Sequence, residues 1–181
     1  MGGWFLKCRG VAAALLLAEI LALAPGAARA DETLQQFLHP DDPGLLSVGG
    51  GMFDFLHNNK APEARAEYDF AHGLYFIKPM IGVFGTTKKA AYAYAGLNFD
   101  LHVGNRFVIV PNAAFGYYHK GKGKDLGEAF EFKTGVRFDY RFKDASRIGL
   151  AFDHISNAGF SKKNPGEENI LLMFSFPIGG W

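Results

Sequence analysis

Near the C-terminus the chain reads LAFDHISNAGFSKKNPGEENILLMFSF, and three of its residues have types that can do chemistry together: His154, Ser156 and Glu168. A serine hydroxyl is a weak nucleophile at neutral pH and needs a base beside it. A histidine can take its proton, and a carboxylate on the other ring nitrogen fixes the tautomer and stabilises the imidazolium. The spacing matters as much as the types. His154 and Ser156 continue the alternating series Ile148, Leu150, Phe152, and Glu168 begins the series Ile170, Leu172, Phe174, Phe176. All three therefore share a face with apolar residues, where polar ones are not expected. If the 157–167 connection folds back symmetrically, Phe152 opposes Ile170 and His154 opposes Glu168. Opposed residues of an antiparallel pair have Cβ atoms about 4.5–5.5 Å apart. Residues two apart on one strand lie roughly 6.6–6.8 Å apart. The expected order is Ser156–His154–Glu168. Glu167 falls on the opposite face.

The elements that would carry these residues follow from period-two alternation. The segment 128–142 is the clearest case: Phe130, Phe132, Thr134, Val136, Phe138 and Tyr140 on one face, Glu131, Lys133, Arg137, Asp139 and Arg141 on the other. Eight such segments are predicted, at 45–55, 62–71, 76–86, 91–103, 106–118, 128–142, 146–156 and 167–178, separated by polar or glycine-rich turns. Several reach the 9–11 or so residues that a tilted strand needs to cross a bilayer. The 18 Phe and 7 Tyr suit a lipid-facing band with aromatic girdles. The fold class expected is all-β, an eight-stranded antiparallel transmembrane β-barrel of the outer membrane; a soluble lipocalin-type barrel is the alternative. Eight strands enclose a lumen that side chains fill, so Arg65, Glu67, Asp69, Lys133, Arg137, Asp139 and Arg141 should pair inside. Arg147 and Asp153 should point inward, and His154, Ser156 and Glu168 outward. Pro111 and the run Gly49–Gly51 suggest local bulges.

The N-terminus reads differently. Lys7 and Arg9 precede the apolar stretch Val11 to Ala24, which is followed by Ala28-Arg29-Ala30. That is the pattern of a secretory signal peptide, 1–30, leaving 31–181 as one domain. The single cysteine, Cys8, lies in the leader. The formal net charge is +1, without the basic excess that nucleic-acid binding requires. His39, His57, His72, His102 and His119 lack ligand spacing and read as interface or solvated residues, so neither a metal nor a cofactor is expected.

The stretch HISNAGFSKKNPGEE resembles the signature of the outer-membrane lipid A 3-O-deacylases, also called acyloxyacyl hydrolases: His-x-Ser-Asn, a loop rich in Asn, Pro and Gly, and Glu twelve residues after the Ser. The strong resemblance covers about 25 residues. It implies an eight-stranded barrel that hydrolyses the ester-linked 3-hydroxyacyl chain at position 3 of lipid A. It implies Ser156 as nucleophile, His154 as base and Glu168 as orienting acid, with Asn157 and backbone N–H groups around Gly159 as oxyanion donors. The implied substrate partner is lipopolysaccharide in the Gram-negative outer membrane, with termini in the periplasm and the site at the level of the outer leaflet. Two other functions stay open from the residues: a non-catalytic small barrel serving membrane integrity or adhesion, and a phospholipase using the same triad.

Overall fold

Alternating apolar and polar side chains can satisfy a bilayer outside and a polar lumen inside only if the sheet closes on itself and leaves no edge. A computed structural model, which describes residues 43–71 and 77–178, has that form. The leader, the segment DETLQQFL, His39, His72 and Trp181 lie outside the described residues. The strands are β1 (Leu45–Phe53), β2 (Ala61–Asp69), β3 (Ile77–Thr86), β4 (Ala91–Phe99), β5 (Leu101–Val103), β6 (Phe107–His119), β7 (Phe130–Arg141), β8 (Arg147–Ser156) and β9 (Glu167–Pro177). β4 and β5 pair with β6 in one continuous register, Asn98 opposite Asn112 and Leu101 opposite Ile109. They are two parts of a single strand interrupted at Asp100. The barrel is thus eight-stranded and antiparallel, and it closes where β1 pairs with β9, Leu45 opposite Pro177.

Neither expected bulge forms. Pro111 faces Val136 in an unbroken β6–β7 register. Instead the strand on its other side is interrupted at Asp100, so the ladder gives way where proline offers no donor. Asp100 still points inward, bound by Arg147 Nη2 at 2.8 Å and Lys78 Nζ at 3.1 Å. Gly49 and Gly51 keep register with β2 and β9. Their role is close approach: a Cβ at Gly49 would run into the Met173 thioether, and one at Gly51 into the Ile170 carbonyl oxygen.

The lumen is filled in two zones. Charges occupy most of its length. Arg137 bonds Glu67 at 3.1 Å, Asp69 at 3.3 Å and Asp139 at 2.9 Å. Arg65 bonds Glu63 at 2.7 Å and also Asp153, which Lys133 reaches at 3.2 Å. A buried charge is tolerated only when paired and hydrogen-bonded, and these residues supply one another's partners. Toward the end bearing the 54–60, 87–90, 120–129 and 157–166 connections, an aromatic plug of Phe53, Phe84, Tyr92, Tyr94 and Tyr118 packs with Leu126 and Ile155. The outer wall is apolar, with Val83, Phe115, Phe138, Leu150, Leu172 and Phe174 exposed.

Candidate active site

β8 and β9 pair in the register that brings His154 opposite Glu168 and Phe152 opposite Ile170. Even-numbered residues of both strands face outward, odd-numbered ones inward: Arg147, Asp153, Ile155 and Glu167 are buried, while His154 is exposed. His154 Nδ1 lies 3.2 Å from Glu168 Oε1. This contact needs the proton on Nδ1, which leaves Nε2 as the base. The ring rests against Gly166, whose φ of +62° and missing side chain make room for it. Ser156 is half-buried on the same outward face, opposite Phe132. It makes no hydrogen bond to His154 here. A strand spacing of roughly 6.6–6.8 Å has to be closed by both side chains leaning together, and such bonds commonly tighten only with substrate in place.

Asn157 does not offer its amide to this face. The side chain is buried; Nδ2 donates to the Leu126 carbonyl at 3.1 Å and the Lys163 carbonyl at 2.8 Å, and Oδ1 accepts from Gly159 N at 3.1 Å. The two groups expected to bind an oxyanion are thus bonded to each other and to the loop. Asn157 staples the 120–129 and 157–166 connections together. Asp125 adds a second staple, held at about 2 by hydrogen bonds from Lys163, at 3.0 Å, and Lys120, at 3.2 Å.

Three residues at the site were not legible from the sequence. His57 Nδ1 lies 3.0 Å from the other oxygen of Glu168 and 3.2 Å from Asp54 Oδ1. Lys124 Nζ lies 2.6 Å from that same Asp54 oxygen. Asp54 adopts φ +52°, a left-handed conformation that aspartate tolerates better than most residues. Its N–H donates to Glu167 Oε2 at 3.3 Å, and Phe55 N donates to the Glu168 carbonyl at 3.0 Å. The loop after β1 is therefore fastened to the start of β9. The only signal in the sequence was a polar HNNK turn, which says nothing about what it folds against. Asp54, His57 and Glu168 offer donor atoms within 4.8 Å of one another, a spacing a cation could use. The Lys124 ammonium already sits on the Asp54 oxygen such an ion would take.

The sequence model of the family described as Lipid A 3-O-deacylase (PagL) matches residues 64–177. The lipid A deacylase PagL of Bordetella bronchiseptica (strain ATCC BAA-588 / NCTC 13252 / RB50) is 34% identical over 53 residues, 29% of this chain and 30% of that protein. The chain thus aligns with under a third of the length of this curated relative. Among solved structures, the crystal structure of the outer membrane enzyme PagL superposes with a TM-score of 0.58 at 16% identity, covering 74% of this chain and 99% of that one. A structure from the de novo design of transmembrane β-barrels superposes with a TM-score of 0.54 at 10% identity, covering 76% of this chain and 96% of the other. These superpositions show the fold of a transmembrane barrel, and the matched region holds all of β8 and β9 with His154, Ser156 and Glu168. This chain belongs to the lipid A 3-O-deacylase (PagL) family.

Proposed function

We propose that this barrel is an outer-membrane serine esterase that removes the ester-linked 3-hydroxyacyl chain at position 3 of lipid A. The observation that carries the reading is the register pairing His154 with Glu168, 3.2 Å apart, on the lipid-facing wall within the family-matched region. Ser156 Oγ attacks the ester carbonyl as His154 Nε2 takes its proton. Glu168 holds the imidazole by Nδ1–H and stabilises it while charged. The tetrahedral intermediate collapses, the sugar hydroxyl leaves with the proton from Nε2, and an acyl-serine remains. Water, activated by the same nitrogen, then releases the 3-hydroxy fatty acid and restores Ser156.

Two features of the wall suit that substrate. Val103, Phe107, Ile109, Phe138, Ile148, Leu150 and Leu172 line an apolar cavity of about 430 Å³ on the outer surface. The cavity runs from Leu150, about 13 Å along the strand from His154, toward Val103 and Phe107 at the other end of the wall, where it offers apolar surface to acyl chains. Lys60, Lys88, Lys89, Lys122 and Lys162 stand on the connections at the site end, where the phosphates of lipid A offer opposite charge. That charge match favours lipid A over a zwitterionic phospholipid.

Purified protein in detergent, incubated with lipid A and read by mass spectrometry, should remove one 3-hydroxyacyl chain, and Ser156→Ala should not. An unchanged lipid A profile from folded wild-type protein, or release of fatty acid from glycerophospholipid alone, rules the reading out. For the site to meet lipid A, the 157–166 connection must face the cell exterior. A cysteine substituted at Lys162 should then react with an impermeant thiol reagent on intact cells; labelling only after lysis reverses the orientation.

A further inference from the structure

We propose that His57, on the connection after β1, is a positioning residue that holds the triad acid Glu168 in line with His154, a role that rests on the esterase reading above. Glu168 uses its two oxygens on two different histidines: Oε1 lies 3.2 Å from His154 Nδ1 and Oε2 lies 3.0 Å from His57 Nδ1. A carboxylate held by one oxygen swings readily, because its terminal torsion has a broad minimum. A polar ring nitrogen in contact with the other oxygen restricts that swing, and with it the direction from which Oε1 meets the His154 N–H. His57 is itself fixed. Its Nδ1 also lies 3.2 Å from Asp54 Oδ1, and Lys124 Nζ lies 2.6 Å from that oxygen. Asp54 is fully buried, and the backbone N–H groups of Asp54 and Phe55 are bonded to Glu167 and Glu168.

The result is a row of alternating charge and donor, Lys124–Asp54–His57–Glu168–His154, drawn from two loops and two strands. His57 Nδ1 lies within ion-pair distance of both facing carboxylates, and Glu168 Oε2 has no aligned hydrogen-bond donor of its own. Asp54 and His57 precede residue 64, where the family match begins, so this support comes from a part of the chain outside the matched region. Nearby polar groups that tune an active-site residue through its hydrogen bonds can shift activity by one to two orders of magnitude, as displacements of about 1 Å do.

The test uses full-length barrel in detergent micelles, with folding checked by heat-dependent gel mobility. His57→Ala should lower kcat on lipid A about ten-fold with little change in KM. His57→Asn, whose amide N–H can occupy the place of Nδ1–H, should restore most of that loss, and His57→Gln should not. In a Glu168→Ala background the same change should cost nothing further, because the two residues act through one contact. A His57→Ala enzyme with wild-type kcat, or losses that simply add in the double variant, overturns the proposal. If folded wild-type protein has no deacylase activity, the esterase reading fails by itself, and imidazole NMR decides the clamp. The His154 ring signal, assigned by its loss in His154→Ala, should move at fixed pH in His57→Ala; an unmoved signal overturns the clamp.

Discussion

Replacing Gly166 by alanine should separate two effects that the structure places at one residue. The first is conformational. Gly166 has φ +62°, where an L-residue is disfavoured by about 1–2 kcal/mol. The second is steric and aimed at the chemistry. A Cβ built there would lie 2.6 Å from His154 Cε1 and 3.2 Å from Nε2, whereas carbon atoms in contact prefer about 3.5–4.0 Å. The imidazole must therefore retreat by about 1 Å. Its bond to Glu168 is already 3.2 Å long, the upper end of the normal range, so that retreat breaks it. A misplacement of this size costs about a hundred-fold in rate. Gly104 supplies the control. Its φ is +63°, it lies in the turn before β6 at the opposite end of the barrel, and a Cβ there meets nothing within 4 Å. Both alanine variants should lose about 1–2 kcal/mol in urea unfolding from micelles, but only Gly166→Ala should lose about a hundred-fold in kcat for lipid A deacylation. Wild-type kcat in Gly166→Ala, or an equal loss in Gly104→Ala, refutes the argument that Gly166 is there to seat the ring.

Within the triad, Ser156→Ala and His154→Ala should each cost about a million-fold in kcat and Glu168→Ala about ten-thousand-fold, the pattern of groups that act as a unit; a Glu168→Ala enzyme at wild-type rate excludes its orienting role. Arg137→Met leaves Glu67, Asp69 and Asp139 without their shared partner, and stripping one side of a buried ionic cluster should destabilise by about 3–5 kcal/mol, read as a lower urea midpoint. Asp125, depressed to about 2 in the folded protein by Lys163 and Lys120, stabilises its loop contact fully above its unfolded pKa of about 3.9, and that contribution disappears as pH falls through about 2. A spin label at Lys162 should be immobile from neutral pH down to about 4 and gain mobility below it, whereas Asp125→Asn should show the mobile spectrum throughout; a label insensitive to both changes removes the staple.

What the sequence revealed and what it hid divide along contact range. Alternation located every strand to within two residues or so, because facing lipid or lumen is a property each residue carries alone. The His154–Glu168 pair was legible because a single hairpin sets its register. The direction of Pro111's effect was not: the missing donor acts on the neighbouring strand, at Asp100, and leaves its own strand in register. The partners of Asn157 were not legible because a buried amide looks the same in sequence whether it bonds a loop carbonyl or a substrate. His57 and Asp54 could not be found at all. Asp54 bonds Glu167 across 113 residues of sequence, a contact created by closure of the sheet with no local pattern behind it.

That closure has a consequence for when the enzyme becomes competent. With β4 and β5 taken as one strand, every pairing in the barrel joins strands that follow one another, except β1 with β9. The β8–β9 hairpin, once formed, already sets His154 beside Glu168. The contacts from Asp54, Phe55 and His57 reach β9 only across the β1–β9 seam. A chain still open along that seam would carry the triad residues in order but with the acid unsupported and the aromatic plug exposed to water. Assembly and activation then share one final step: zipping the first strand to the last both removes the sheet's free edges and finishes the site. Turnover at its full rate therefore doubles as a report that the seam has closed, and damage at the far N-terminal strand should slow chemistry performed by residues a hundred positions away.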